Sequence, residues 1–337
     1  MTSKRAYLVV LVLSLGATVA QAEQAKAPRA HFFYWENDVL VGTDQDYTNG
    51  LRYATVRLGV EEPPWWARRL ARRFDLCGEG AKPDKCFTIN KGFAVTHTIY
   101  TPEDISDPEL IVDDRPYGAW LHYASIFELR SSFSLHHFEA DIGIVGPLAF
   151  GEEVQTAVHK LTGSQEPMGW DHQIDNELGL LLLYQWRRRI PALELWSRDE
   201  SVRLFDVTPD LTGTLGNVFT YAGAGLTLRL GYNLSEAFPG KIEPTVMEVA
   251  GRKKWEIYVF AATEGRAVAR NIFLDGNTFK DSHSVDKETL VYDWEVGLVA
   301  RYGRFAISYR HVTRSPEFTL QEEPQTYGSV SLNFYPD

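Results

Sequence analysis

The chain has 337 residues, of which 44% are hydrophobic, 13% aromatic and 23% charged, and its formal net charge is −11 at pH 7. That apolar content excludes a disordered or low-complexity chain, and the acidic balance argues against a nucleic-acid binder. Two cysteines are too few for a disulfide scaffold, and the high aromatic share suits a chain with much interfacial surface.

Residues 1–22 read as a secretory signal peptide. Lys4 and Arg5 form a basic start, Ala6 to Val19 are almost wholly apolar, and Ala20-Gln21-Ala22 is a small-residue cleavage site. No lipoprotein cysteine sits near the cut. Cleavage removes Lys4 and Arg5 and no acid, so the mature chain, read as one domain over 23–337, is more acidic still. Its longest apolar run, Leu178 to Tyr184, has seven residues. A membrane-spanning helix needs about 20. An exported chain of this kind is periplasmic, secreted or a β-barrel.

Period-two alternation favours the barrel. Phe138, Ala140, Ile142 and Ile144 alternate with His137, Glu139, Asp141 and Gly143. Ala222 to Leu230, Trp294 to Tyr302 (Val299 excepted), Phe305 to Tyr309 and Val330 to Phe334 repeat the pattern, with aliphatic residues on one face and small, polar or charged ones on the other. This is the pattern of a lipid-facing wall around a polar lumen. The expected fold class is all-β: an outer-membrane antiparallel β-barrel of about twelve strands with short helical insertions. The strands are predicted near 31–37, 48–60, 87–100, 116–131, 133–146, 175–190, 202–212, 217–233, 253–268, 287–302, 304–314 and 326–336. The chain runs two residues past the aromatic Tyr335, where outer-membrane proteins usually end on an aromatic.

Two stretches break the strand rhythm. After Pro63-Pro64, the spacing of Trp66, Leu70 and Phe74 beside Arg68, Arg69, Arg72 and Arg73 predicts a short amphipathic helix. It suits either an anionic membrane surface or the barrel rim. Cys77 and Cys86, which follow it, are expected to bridge in an oxidising periplasm. The second break, Gly151 to Gly163, predicts a helix carrying His159 between two strands.

No G-x-S-x-G or H-E-x-x-H motif is present, and Asp44-Gln45-Asp46 lacks the glycine and glutamate of an EF-hand loop. Three polar segments stand out: Glu36-Asn37-Asp38, Asp44 to Gly50, and His159 with the stretch from Gly163 to Gln173. A hairpin would bring the first two together. Carboxylates and amides packed side by side suit a hard cation such as calcium, and a histidine nearby can act as general base on water. Asp, Asn and Gly are equally ordinary turn residues. Asn37 and Asp38 are adjacent and share a site only if the strand ends or bulges there. His31, His97, His122, His172, His283 and His311 carry no motif of their own.

E-N-D at 36–38, D-Y-T-N-G at 46–50, D-R-P-Y-G-A-W at 114–120, the run from Gly143 to Gly163 and W-D-H-Q-I-D-N-E at 170–177 resemble the lipid A 3′-O-deacylase family of outer-membrane enzymes. Beyond about residue 200 the likeness is one of strand rhythm. The resemblance implies a twelve-stranded barrel in the bacterial outer membrane, monomeric and surrounded by its lipids. It implies calcium-dependent hydrolysis of the 3′-linked acyloxyacyl chain of lipid A, the anchor of lipopolysaccharide. It places Asn37, Asp38, Thr48 and His159 in the active site, with Asp38 and Asn37 as ligands of Ca2+. The family's acidic residue after the catalytic histidine falls on Gln165 here, and the neighbouring Glu166 is the candidate to replace it at the metal. Two other readings stay open: a non-catalytic barrel, and a phospholipid-directed hydrolase with Ser164 as nucleophile.

Overall fold

The computed structural model describes residues 28–41, 46–59, 65, 68–69, 73, 87–237, 240–242 and 255–335. The strands are β1 (Arg29–Asn37), β2 (Asp46–Arg57), β3 (Thr88–Thr101), β4 (Gly118–Arg130), β5 (Ser134–Val145), β6 (Glu177–Arg188), β7 (Leu195–Trp196), β8 (Arg203–Gly216), β9 (Phe219–Tyr232), β10 (Trp255–Asn271), β11 (Leu290–Tyr302), β12 (Phe305–Arg314) and β13 (Gln325–Phe334). Helix α1 is Gly151–Thr162 and α2 is Ile272–Asp275. All pairings between these strands are antiparallel.

The ring closes at two places a linear reading leaves open. β1 pairs with β13, from His31 opposite Phe334 to Asn37 opposite Gly328. β6 pairs directly with β8, Leu181 opposite Gly216. The two-residue β7 pairs only with β8 and stands outside the ring, leaving a closed twelve-stranded barrel. Each predicted strand has its counterpart; β7 was not predicted. Closure removes every free strand edge, which lets a sheet sit in lipid.

The alternation sorts side chains as the sequence implied. Leu178, Leu180 and Leu182 on β6, Leu226 to Leu230 on β9, Trp294 to Leu298 on β11 and Ile307 on β12 are exposed on the outer wall. Tyr232 and Trp255 stack with centroids 4.8 Å apart near one rim, and Phe305 meets Phe334 at 5.3 Å there. Such aromatic girdles mark the membrane interfaces.

The inner face is charged and filled. Arg52 on β2 reaches Glu139 on β5 with two hydrogen bonds of 3.0 and 2.9 Å. Arg229 grips Asp206 at 2.8 and 2.6 Å, and Arg314 and Arg266 each reach Asp293 at 2.9 Å. A segment between β9 and β10 enters the lumen: Lys241 is buried against Glu264 and Glu295, and the Ile242 N–H donates to Glu36 at 2.8 Å. Buried charges persist only with such partners. Among the described residues, an apolar layer of Phe32, Tyr34, Ala54, Ala94 and Ile126 packs with Ile242 across the same interior.

The signal peptide lies outside the described residues. So do Trp66, Leu70 and Phe74 of the predicted arginine-edged helix, and Cys77 and Cys86. Trp65, Arg68, Arg69 and Arg73 are helical and exposed.

Candidate active site

On β1, Phe32, Tyr34 and Glu36 are fully buried in the lumen, so Phe33, Trp35 and Asn37 face outward. The strand ends at Asn37, and Asp38 opens a 3-10 turn, residues 38–41. Asn37 and Asp38 thus meet where the strand ends, and both are buried there. Glu36 does not join them: its carboxylate accepts from Ile242 N and Tyr47 Oη inside the barrel.

Thr48 arrives by a different device. The register of β2 against β3 slips between Tyr47 and Asn49, a β-bulge centred on Thr48. Tyr47 therefore turns into the lumen against Tyr100 and Tyr327, with centroids 5.4 and 5.0 Å away. Thr48 swings to the side that carries Asn49, where its Oγ1 lies 2.7 Å from Thr101 Oγ1. Asn37 ties the group together. Its Nδ2 donates to the Thr48 carbonyl at 2.8 Å and to Asn49 Oδ1 at 3.2 Å, while its Oδ1 accepts from Val39 N at 2.9 Å. Trp35 Nε1 also donates to Asn49 Oδ1, at 3.1 Å. Asn37, Asp38, Thr48, Asn49 and Thr101 are all buried.

His159 belongs to a second wall. Two sharp turns launch α1: Gly146 at φ +92°, followed by Pro147, and Phe150 at φ +63°. Left-handed backbone at a non-glycine such as Phe150 costs energy and persists only where its surroundings hold it. Gly151, Gln155 and His159 form the buried face of α1, at i, i+4 and i+8. The helix packs on the outside of β3 and β4, in a cluster with Ile99, Ala119, Leu121 and Ile144. Two polar contacts anchor it. Trp170 Nε1 donates to Gln155 Oε1 at 2.9 Å, and His97 Nε2 donates to the Ala149 carbonyl at 2.8 Å.

The helix ends at Gly163, φ +75°, whose N–H returns to the His159 carbonyl at 2.8 Å. This tight cap brings the Gln165 carbonyl to His159 Nδ1. A carbonyl can only accept, so His159 Nδ1 is the donor in this contact.

β3 joins the two halves: Thr101 holds Thr48, and α1 packs along the same strand. Glu166 is not brought into either half. Its side chain is 66% exposed and pairs with Lys160 at 3.5 Å. Gln165 contributes its backbone carbonyl to the histidine. Thr101 escaped the sequence reading, and Asn49, Gln155 and Trp170 stood inside its motifs without a role of their own. Thr101 becomes visible only once the bulge is known.

The Asp38 carboxylate, Asn37 amide and Thr48 hydroxyl are hard oxygen donors, a set whose chemistry fits Ca2+.

A family model described as "Outer membrane protein LpxR" matches residues 8–335. A comparison with curated proteins returns no match. The fold is similar to LpxR from Salmonella typhimurium, with TM-score 0.72 and 22% identity over 91% of this chain and 100% of that one. The beta domain of the Bordetella autotransporter BrkA aligns at TM-score 0.43 with 9% identity, covering 93% of this chain and 100% of that one. An outer-membrane channel from Pseudomonas putida F1 aligns at TM-score 0.41 with 9% identity, covering 94% and 100%. The last two carry no argument about fold or function.

Proposed function

The chain belongs to the LpxR family of outer membrane proteins, and from that premise we propose that it is a calcium-dependent hydrolase removing the 3′-linked acyloxyacyl chain of lipid A. The observation that carries the reading is His159. It is buried on the wall-facing side of α1, its ring oriented by the Gln165 carbonyl at Nδ1, and this supports assigning the base role to Nε2.

In this mechanism His159 Nε2 takes a proton from water as the oxygen attacks the ester carbonyl. The ester C–O bond then breaks. The imidazolium returns its proton to the leaving sugar oxygen, giving a free acid and a free hydroxyl. Asp38, with Asn37 and Thr48, would hold the calcium. The chemistry a bound calcium supplies is polarisation of the ester carbonyl and stabilisation of the developing oxyanion. Asn37 and Asn49 fix the loop, and Thr101 orients the Thr48 hydroxyl. Glu166 takes no part.

The residues assigned to the site lie at the barrel end opposite Arg29 and Phe334, and in this reading that end faces the cell exterior. A pore is disfavoured by the ion pairs and the Lys241 segment that fill the lumen. The test is mass spectrometry of lipid A exposed to wild-type protein with calcium, with chelator, and to His159→Ala with calcium. Loss of the acyloxyacyl mass in the first sample alone is expected. Unchanged lipid A in all three refutes the proposal.

A further inference from the structure

A second group of metal-ligating side chains lies inside the barrel, on the other side of the wall from His159. His122 on β4 and Glu139 and Asp141 on β5 place one donor atom each within 4.8 Å of one another. His122 and Asp141 are 5% and 6% exposed, and both line a lumen cavity of about 50 Å³ with Thr96, Thr98 and Trp120. His122 Nδ1 and Asp141 Oδ1 are buried and find no hydrogen-bond partner among the described residues. Buried polar atoms of this kind call for a ligand. The cavity is large enough for an ion and the waters that complete its shell.

The charges point the same way. Glu139 pairs with Arg52, and His137 sits between Glu128 and Glu139 at 3.1 Å from each. Among the described residues Glu139 is held by Arg52 and His137 and Glu128 by His137, whereas the ion-pair partner within reach of Asp141 is His122, 3.9 Å away. Arg266, which lines the same cavity, is engaged with Asp293. Two carboxylates this close share either a proton or a cation.

We propose that His122, Glu139 and Asp141 form a luminal site for a divalent transition cation of the zinc type, separate from the candidate catalytic centre. One imidazole and two carboxylates are the donor set such ions prefer, whereas calcium takes oxygen ligands. The His122 ring is held flat against Trp120, centroids 3.6 Å apart, so its donor direction is fixed. Zinc bonds of about 2.0 Å require donors roughly 3.3 Å apart, so binding draws the three side chains inward by about 1 Å. The ion would cross-link β4 and β5 from within, next to the Arg52 bridge to β2.

The test uses the full mature barrel, without a histidine tag, stripped with chelator and refolded with Zn2+ or with chelator. Zinc remaining after desalting is measured by elemental mass spectrometry. Wild type, His159→Ala and Asp38→Asn are expected to retain a stoichiometric amount. His122→Gln and Asp141→Asn are expected to retain about tenfold less. Equal retention by all five proteins, or none by any, overturns the proposal. Co2+ added to wild type gives a readout free of variant folding. Visible d–d absorption of a low-coordinate site, displaced by Zn2+, is expected, and absence of that band overturns the proposal.

Discussion

Replacing Gly151 with alanine moves α1, and with it His159, by a distance the structure sets. A Cβ at Gly151 would lie 2.4 Å from Trp170 Cη2 and 2.6 Å from Ala119 Cβ. Carbon contacts relax near 3.5 Å, so the helix must lift by about 1 Å or Trp170 must leave its place. Trp170 is buried and packed against Tyr117 on the barrel side, 4.8 Å away, so the helix is the part that yields. Overpacking of this kind costs about 1–3 kcal/mol. A catalytic group displaced by about 1 Å loses roughly 10²-fold in rate. The expected result is a fall of about that size in kcat/KM for lipid A deacylation, followed by mass spectrometry. The heat-modified gel mobility of the closed barrel should not change. Gly163→Ala is the comparison: nothing lies within 4 Å of its Cβ, and it carries only the strain of φ +75°. Activity of Gly151→Ala within twofold of wild type, with Gly163→Ala equally active, would refute the claim that this close approach sets the position of His159.

Asp38→Asn should raise the calcium needed for half-maximal activity, whereas Glu166→Gln should leave the calcium titration unchanged; a shift with Glu166→Gln would return that residue to the metal site. Arg52→Met leaves Glu139 buried without its bidentate partner and should cost about 3–5 kcal/mol in urea unfolding, with much of that recovered in Arg52→Met/Glu139→Gln. Glu317, in the loop after β12, is the acid-sensitive joint. Burial alone would raise its carboxyl, but Arg314 and Arg115 hold it below its ordinary 4.5. Its stabilisation is therefore complete above about pH 4.5 and is lost as pH falls through the lower folded value. Glu317→Gln should destabilise at neutral pH, and its deficit should shrink steadily as pH is lowered below 4.5; a deficit that does not change with pH, read from thermal melts, contradicts this. Trp170→Phe leaves Gln155 Oε1 without its donor and should cost about 1–3 kcal/mol locally, seen as faster amide exchange across residues 151–163 with β3 unaffected.

The barrel was legible because its two solvents write alternately into the sequence. Leu226, Leu228 and Leu230 need lipid, while Glu139 and Asp141 need partners, and most strands keep that alternation, with Val299 and the inward Phe32 and Tyr34 as apolar exceptions. β7 escaped because two residues carry no period. The site was legible as residue types, and its geometry was not. Strict alternation from Arg52 would send Thr48 into the lumen, and only the slip at the bulge turns it outward. Glu36 reads as part of one polar cluster with Asn37 and Asp38, yet it belongs to the interior because parity divides neighbours. Glu166 looked suitable by adjacency to Gln165, but the cap at Gly163 presents the Gln165 carbonyl to His159 and leaves Glu166 in solvent. His122 had no motif because its companions lie on the next strand, where register rather than sequence spacing brings them together.

The outward placement of Asn37, Thr48 and α1 has a kinetic consequence. A substrate that reaches this wall arrives by lateral diffusion in the leaflet and never has to leave the bilayer. The encounter is two-dimensional, so turnover should follow the mole fraction of lipid A in the surface and not its concentration in bulk. Diluting lipid A with inert amphiphile at constant total lipid A should slow the reaction, much as lowering concentration slows an enzyme in solution.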